Sequence, residues 1–189
     1  MIKCKSFLLD RDGVLITDKK HIINKLDIFI LPGVFEALYY LKKNNFKIFI
    51  ITNQSVIGRG LINESNFNNL TNEINSKISR FSYLNLIDKV YYCPHHPSKA
   101  QKKYKKKCAC RKPKNGLIET AIYENNLNRN KTIMIGDKIT DLFAAKRSKI
   151  SFYFKKNYNF LSQIKKIIKN ENIENFFYKF FNTTFYYIF

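Results

Sequence analysis

The sequence lacks tryptophan and is poor in glycine, proline, cysteine and arginine. Its 189 residues include 6 glycines, 4 prolines, 4 cysteines and 6 arginines, against 28 lysines. No apolar run reaches the 18 residues of a membrane-spanning helix, and the first predicted strand lies too near the N-terminus for a signal peptide to precede it. In a reducing compartment, Cys93, Cys108 and Cys110 fit metal ligands better than a disulfide framework. We therefore expect a single cytoplasmic domain, a monomer without membrane contacts, that buries a full core.

The net charge is +20, which by itself favours a polyanionic partner such as a nucleic acid. Lysine, asparagine, isoleucine, phenylalanine and tyrosine are abundant, and these are the residues of A/T-rich codons. Compositional drift therefore explains the charge at least as well as function does. Specific nucleic-acid sites also favour the planar arginine fork, which is scarce here. We expect no nucleic-acid partner, although a positive field would attract a small phosphorylated substrate.

Short apolar runs alternate with helical periodicities along the chain. Strands are predicted near residues 7–9, 46–51, 89–92, 131–135 and 150–154. Helices are predicted over residues 33–44, 63–79, 116–126, 139–147 and 160–168. This alternation predicts an α/β fold, a doubly wound parallel sheet with helices on both faces, which binds ligands beyond the carboxyl ends of its strands. Residues 15–31 have no clean period and should form a loop or small hairpin, a candidate substrate flap.

The whole chain is expected to form one domain. Residues 1–155 contain all the strands and a cysteine-bearing loop at 93–110, and residues 156–189 would add a C-terminal helix and an aromatic tail to the same domain. The tail from Phe176 to Phe189 is too short to span a bilayer, so we expect it to pack on the sheet. The spacing of the polar clusters leaves no room for a large cap domain, so loops must exclude water from the substrate.

Polar side chains follow several of the predicted strands. Asp10 and Asp12 end the first strand, and in an extended chain residues two apart point the same way. Two such carboxylates could share a cation or divide the roles of nucleophile and acid/base, although a polar turn is the alternative. The second strand ends in Thr52-Asn53-Gln54-Ser55, where a hydroxyl and backbone amides could hold phosphate oxygens.

The later clusters supply cations and a further carboxylate. Lys112, after Arg111, could neutralise phosphoryl charge, although solvent exposure is the default for an isolated basic pair. Asp137 beside Lys138 follows the fourth strand, and Asp141 fits a helix-start carboxylate favoured by the helix dipole. Because every cluster follows a strand, the sequence predicts one active site at the carboxyl edge of the sheet.

Three cysteines and two histidines enclose a lysine-rich loop. They occur as Cys93-Pro94-His95-His96 and Cys108-Ala109-Cys110. Three thiolates and one imidazole would make a closed tetrahedral zinc site of the structural kind, with His95 as ligand and His96 as spare. The spacing is tighter than in common zinc fingers, so buried thiols without a metal are the alternative.

Taken together, the strand-end clusters resemble the four motifs of the haloacid-dehalogenase (HAD) superfamily of aspartate-nucleophile phosphatases, at Asp10-x-Asp12-Gly13, Thr52-Asn53-Gln54, Lys112 and Gly136-Asp137-x-x-x-Asp141. The resemblance covers about residues 5–155 and implies a HAD-like Rossmannoid fold. It implies that Asp10 attacks phosphorus to form an aspartyl-phosphate, while Asp12 acts as general acid and then as general base. It also implies Mg²⁺ held by the carboxylates of Asp10 and Asp137 and the backbone carbonyl of Asp12, with Thr52 and Lys112 sharing the charge stabilisation.

The cysteine loop resembles that of two related groups within the HAD superfamily. Cys-Pro-His-His-Pro at 93–97 with Cys-x-Cys-Arg-Lys-Pro at 108–113 is similar to the zinc loop of the heptose-bisphosphate phosphatases and the related histidinol-phosphate phosphatases. This implies Zn²⁺ on Cys93, His95, Cys108 and Cys110. Ser55 and Lys138 look like the heptose branch, because the histidinol branch more often has Asp and Arg there. Val56 occupies a position where the heptose enzymes usually have glycine. This difference bears on the choice among related substrates and not on the reaction.

The resemblance also implies which residues meet the substrate. Arg111 and Lys138 would contact the second phosphate or the sugar, beside Thr52, Asn53, Gln54, Ser55, Arg59 and Lys112, and the entrance would be lined by Asp18, Lys19, Lys20 and His21. The implied reaction removes the C7 phosphate of D-glycero-D-manno-heptose 1,7-bisphosphate, in ADP-heptose and lipopolysaccharide core biosynthesis. The alternatives are a histidinol-phosphate phosphatase, a polynucleotide 3′-phosphatase, and a non-catalytic basic zinc module that binds RNA.

Overall fold

A computed structural model describes residues 6–173 of the chain. Its five strands are β1 Ser6–Leu9, β2 Lys47–Asn53, β3 Lys89–Cys93, β4 Thr132–Gly136 and β5 Ser151–Phe154. They form one parallel sheet in the order β3-β2-β1-β4-β5. The predicted parallel sheet is confirmed, and each strand lies within about two residues of its predicted bounds. The aromatic tail lies outside the described residues.

Six α-helices occur in residues 6–173. They are α1 Val34–Lys43, α2 Ser55–Gly58, α3 Glu64–Ser79, α4 Gly116–Glu124, α5 Ile139–Arg147 and α6 Phe160–Ile173. The Asn63 side chain caps α3 as predicted, accepting the N–H of Asn66 at 2.7 Å. The prediction missed the four-residue α2 and ended α6 five residues too early. No helix in this part of the chain is both long and apolar enough to cross a membrane.

The central strand β1 is covered on both faces. Phe7 and Leu9 pack in a core with α1, α3 and α6, whereas Leu8 packs in a second core with α4 and α5. All three side chains are fully buried, which explains why the strand reads as an unbroken apolar run. Phe160 at the start of α6 is also fully buried in the first core, so this helix shares a core with the sheet. The predicted division of the chain at residue 155 stays a prediction.

The two long connections of the described chain lie above the sheet. Residues 10–33 form a small hairpin-like loop, as predicted, in which the Thr17 N–H donates to Phe29 O at 2.9 Å and the Leu31 N–H to Leu15 O at 3.0 Å. Residues 94–115 form the cysteine loop. Within residues 6–173 neither connection contains a further strand or α-helix, so loops and not a cap domain border the carboxyl edge of the sheet.

Candidate active site

A pocket of about 400 Å³ lies at the carboxyl ends of β1, β2 and β4. It is lined by residues from all four predicted clusters: Asp10, Asp12, Thr52, Asn53, Arg111, Lys112, Pro113, Lys138, Thr140 and Asp141. The expected convergence of the strand-end side chains is therefore observed. It follows from the topology, because parallel strands present their carboxyl ends at one edge of the sheet.

Lys112 is the centre of the charged groups in this pocket. Its Nζ lies 2.9 Å from Asp10 Oδ1 and 2.6 Å from Asp141 Oδ1, and it donates to Ile51 O at 2.7 Å. The side chain is only 2% exposed, so these oxygens surround the ammonium group in a site without bulk water. Burial would lower the pKa of Lys112, but Asp10 and Asp141 outweigh it and raise that pKa, so the lysine stays cationic.

Asp10 is held in a polar but desolvated position. Its Oδ1 lies 2.9 Å from the Lys112 ammonium and accepts the backbone N–H of Arg11 at 2.8 Å. Burial raises the pKa of Asp10 to about 6; Lys112 opposes the rise, and Asp141 and Asp12 add to it. A carboxylate with so little hydration is poised to contact a cation or to act as a nucleophile.

Three carboxylates at the carboxyl ends of β1 and β4 form a candidate cation site. Ligand oxygens of Asp10, Asp137 and Asp141 all lie within 4.8 Å of one another. Asp137 Oδ1 is buried and accepts no hydrogen bond from the described residues, and burial raises the pKa of this carboxyl. A buried acceptor without a donor beside two further carboxylates is the arrangement that a hard cation such as Mg²⁺ satisfies. The residues present therefore fit a divalent cation.

Asn53 holds the backbone of Lys112 in place. Its Nδ2 donates to Lys112 O and its Oδ1 accepts the Lys112 N–H, both at 3.1 Å. This amide-to-peptide pair joins the end of β2 to the cysteine loop across 59 residues of sequence. Asn53 therefore positions Lys112. It also lines the pocket, where the sequence predicted it as a substrate ligand.

Asp12 belongs to a separate network with the buried side chains of Arg11 and Gln54. Arg11 Nε donates to Asp12 Oδ1 at 2.9 Å, and Arg11 Nη2 lies 3.1 Å from Asp12 Oδ2 and 2.8 Å from Gln54 Oε1. Gln54 Nε2 in turn donates to Asp12 Oδ2 and to Thr52 Oγ1, both at 2.8 Å. Each of the two predicted catalytic aspartates thus has its own cation, Lys112 for Asp10 and Arg11 for Asp12.

The predicted substrate residues divide into two groups. Arg111 and Lys138 line the pocket, and Lys138 Nζ contacts Asp18 at 2.8 Å, which joins the flap to the pocket rim. Lys19 turns away, with Nζ 4.4 Å from the Phe29 ring centroid and 3.9 Å from Asp27. The pocket lining does not include Lys19, Lys20, His21, Gln54, Ser55 or Arg59.

The four predicted zinc ligands come together in one cluster. Cys110 Sγ lies 3.0 Å from Cys93 Sγ and 3.2 Å from Cys108 Sγ, and His95 Nδ1 lies 3.3 Å from Cys110 Sγ. His96 is not a member, because its Nδ1 accepts the N–H groups of Ser98 and Lys99. Burial raises the pKa of Cys93 and Cys110, so thiolates here need a compensating cation. The donor set and its geometry fit Zn²⁺.

The cysteine cluster is tied to the pocket wall. Arg111, directly after Cys110, donates from Nη1 to His95 O at 3.0 Å. Burial, and then the charges of Arg111 and Arg59, lower the pKa of His96. On its outer side the loop meets α2, where the Gln101 N–H donates to Gly58 O at 2.7 Å. The cluster can therefore fix the position of Arg111 in the pocket.

Two residues of the site were not predicted in their observed roles. Asp141 was treated as a helix-start carboxylate, and it does accept the Lys138 N–H at 3.0 Å, but it also pairs with Lys112 inside the pocket. Arg11 lies between the two aspartates and was assigned no role from the sequence. Its position in the sequence gave no indication that its partner would be Gln54, 43 residues away.

The family and the relatives that match this chain are all named as phosphatases. The family described as Polynucleotide kinase 3 phosphatase matches residues 5–159. The D-glycero-beta-D-manno-heptose-1,7-bisphosphate 7-phosphatase of Photorhabdus laumondii is 38% identical over 142 residues, 75% of this chain and 74% of the relative. The D-glycero-alpha-D-manno-heptose-1,7-bisphosphate 7-phosphatase of Campylobacter jejuni is 35% identical over 181 residues, 93% of this chain and 97% of the relative.

A solved structure supports the same fold. The D,D-heptose 1,7-bisphosphate phosphatase from B. bronchiseptica, complexed with magnesium and phosphate, aligns with a TM-score of 0.72 at 24% identity. The alignment covers 86% of each chain. At this identity the match establishes the HAD-like α/β fold, in agreement with the five-stranded parallel sheet described above.

Proposed function

The chain belongs to the heptose-1,7-bisphosphate 7-phosphatase family of HAD-superfamily phosphatases, and from this premise we propose that it removes the C7 phosphate of D-glycero-D-manno-heptose 1,7-bisphosphate. This reaction would serve ADP-heptose and lipopolysaccharide core biosynthesis. The observation that carries the proposal is the ion pair between the buried Asp10, at the end of β1, and Lys112. This pair lies beside the carboxylates of Asp137 and Asp141. A non-catalytic RNA-binding module would have no use for this arrangement.

In the proposed mechanism Asp10 is the nucleophile and Asp12 is the general acid and base. Asp10 attacks phosphorus, and an Asp10–phosphorus bond forms while the bond from phosphorus to the sugar oxygen breaks. Asp12 gives a proton to the departing oxygen. It then takes a proton from a water molecule, whose oxygen attacks phosphorus and releases Asp10 and inorganic phosphate. Lys112, already fixed by Asn53 and Ile51, stabilises the phosphoryl oxygens without having to reorganise.

The proposal includes a magnesium ion and a zinc ion. The carboxylates of Asp10 and Asp137 and the backbone carbonyl of Asp12 would hold Mg²⁺, which supplies Lewis-acid stabilisation of phosphoryl charge when bound. Asp141, the third carboxylate of the cluster, orients Lys112 through its 2.6 Å contact. Cys93, His95, Cys108 and Cys110 would hold a structural Zn²⁺.

Gly13→Ala should weaken magnesium binding. Gly13 has φ +87°, and a Cβ built there would collide with the Asp137 carboxylate. We expect Mg²⁺ affinity, measured by titration calorimetry, to fall at least about tenfold because Asp137 must move. Gly33→Ala is the matched control, because Gly33 also has positive φ, +77°, but lies against Asn159. Equal Mg²⁺ affinities in the two variants would contradict the assignment of Asp137.

The remaining substrate contacts are assigned by position. Arg111 and Lys138 line the pocket on the sides of the cysteine loop and the flap, and both would meet the sugar or its second phosphate. Thr52 lies beside them at the end of β2. We further propose a monomer in the cytoplasm, because three unpaired thiols in one cluster fit a reducing compartment.

The experiment that tests the proposed function compares phosphate release from four substrates with Mg²⁺ at equal concentration. They are the α and β anomers of heptose 1,7-bisphosphate, histidinol phosphate and a 3′-phosphorylated oligonucleotide. We expect kcat/KM on one heptose bisphosphate anomer to exceed that on the last two by at least about 100-fold, because only a bisphosphate engages both ends of the pocket.

The other arms of this comparison decide between the alternatives. Preference for histidinol phosphate would show that the chain is a histidinol-phosphate phosphatase. Preference for the oligonucleotide would agree with the description of the matching family and with the net charge of +20, and would contradict the sugar substrate.

A further inference from the structure

Arg11 is a buried cation that the mechanism above does not use. Its side chain is 2% exposed although a guanidinium stays charged in proteins, and such a group is tolerated only where partners satisfy it. The Arg11 Cζ also lies 5.7 Å from the centroid of the Phe67 ring on α3. Its position is therefore determined by a helix face as well as by Asp12 and Gln54.

The N–H donors around Asp12 are arranged to bind both oxygens of its carboxylate. Arg11 Nε points to Oδ1, and Arg11 Nη2 and Gln54 Nε2 both point to Oδ2. Three N–H donors on two oxygens also fix the rotation of the carboxylate about its last bond. Asp12 nevertheless keeps 17% of its side chain exposed and lines the pocket, so it is restrained at the wall where proton transfer is needed.

We propose that Arg11 and Gln54 are positioning residues that hold Asp12 for proton transfer, a role that rests on the proposed phosphatase chemistry. Neither side chain lines the pocket. Gln54 is 3% exposed and uses its amide on Arg11, Asp12 and Thr52, so its role here replaces the substrate contact predicted from the sequence. Removing either residue should lower kcat and leave KM nearly unchanged.

Three variants and one control test this role. Arg11→Met and Gln54→Met keep side-chain length but remove the donors, and Arg11→Lys restores one cation without the two-pronged fork. Arg129→Met is the matched control, because Arg129 also pairs with a carboxylate, Glu119 at 2.6 Å, but outside the pocket lining. The thermal midpoint of every variant is measured alongside the kinetics.

The kinetic readout compares two leaving groups. A sugar alkoxide needs a proton as it departs, whereas p-nitrophenolate departs without one. With heptose bisphosphate we expect kcat to fall at least about 100-fold in Arg11→Met and Gln54→Met, with partial recovery in Arg11→Lys. With p-nitrophenyl phosphate the first turnover should stay near the wild-type rate, giving a burst of about one p-nitrophenolate per site. A slow steady state should follow, because the water that attacks the aspartyl-phosphate still needs Asp12 as base.

Several outcomes would overturn the proposal. An equal slowing of the first turnover on both leaving groups would mean a general structural defect, as would the same profile in Arg129→Met. A raised KM at unchanged kcat in Gln54→Met would mean that Gln54 binds substrate and does not position Asp12. If Arg11→Met does not fold, Gln54→Met decides the matter. If heptose bisphosphate is not a substrate, the presence or absence of the burst with p-nitrophenyl phosphate still decides the role of the two residues.

Discussion

Asp10→Asn should abolish turnover and at the same time make the magnesium-free protein more stable near neutral pH. The loss of activity follows from removing the attacking oxygen, and losses of about 10⁴-fold or more are usual when a nucleophile is removed. The gain in stability follows from burial, which raises the pKa of Asp10 from 3.8 to about 6. An amide at this position keeps the acceptor for Lys112 and for the Arg11 N–H without a desolvated charge.

The pH dependence of this gain has a definite sign. A carboxyl whose pKa is higher in the folded than in the unfolded state contributes stability at low pH, and this contribution is lost as pH rises through the folded-state pKa. The free energy of unfolding of the wild type should therefore lose about 3 kcal/mol between about pH 4 and pH 7 through Asp10, whereas Asp10→Asn should lose none there from this position.

Urea unfolding at pH 4 and pH 7.5 in magnesium-free buffer measures the difference. The two proteins should be nearly equal at pH 4, and the variant should be more stable at pH 7.5. Added Mg²⁺ should stabilise the wild type more than the variant, since the variant has lost a ligand. A variant that is less stable than the wild type at pH 7.5 would show that the attraction between Asp10 and Lys112 exceeds the cost of burial.

The parts of the fold that could be predicted are those that a local pattern determines. Phe7 to Leu9 is an unbroken apolar run because neighbouring side chains enter two different cores, and this run identified the central strand. The strand-end positions of Asp10, Thr52 and Asp137 were enough to predict that they meet, because parallel strands align their carboxyl ends. The helical stripe of α3 and its Asn63 cap were equally local.

The parts that could not be predicted depend on side chains far apart in sequence. In α2, Val56 and Ile57 are both buried in four helical residues, too few to show a period. The partners of Arg11, Gln54 and Asp141 are set by the loops that the sheet brings together. Each of these side chains would have been equally consistent with solvent exposure or with substrate contact. Lys19 shows the converse, since this basic residue of the flap contacts Asp27 and does not line the pocket.

Replacing a zinc ligand should disable the pocket from a distance. In Cys110→Ser we expect the zinc content to fall from about one per chain to near zero and the thermal midpoint to fall by at least about 5 °C, because the cysteine loop, which contains Arg111, loses its crosslink. Arg111 would then no longer be held against His95 O, so KM for the bisphosphate should rise at least about tenfold. Metal analysis of protein purified without chelator, calorimetry and steady-state kinetics measure the three effects.

The two neighbouring histidines provide the control for this prediction. His95→Ala removes an atom 3.3 Å from Cys110 Sγ and should repeat the loss of zinc, whereas His96→Ala removes only an acceptor of loop N–H groups and should retain it. Equal zinc contents in the two histidine variants would contradict the assignment of His95. A zinc-free wild type with full activity would show that the three thiols hold the loop by packing alone, in which case Arg111 owes its position to the His95 carbonyl and not to a metal.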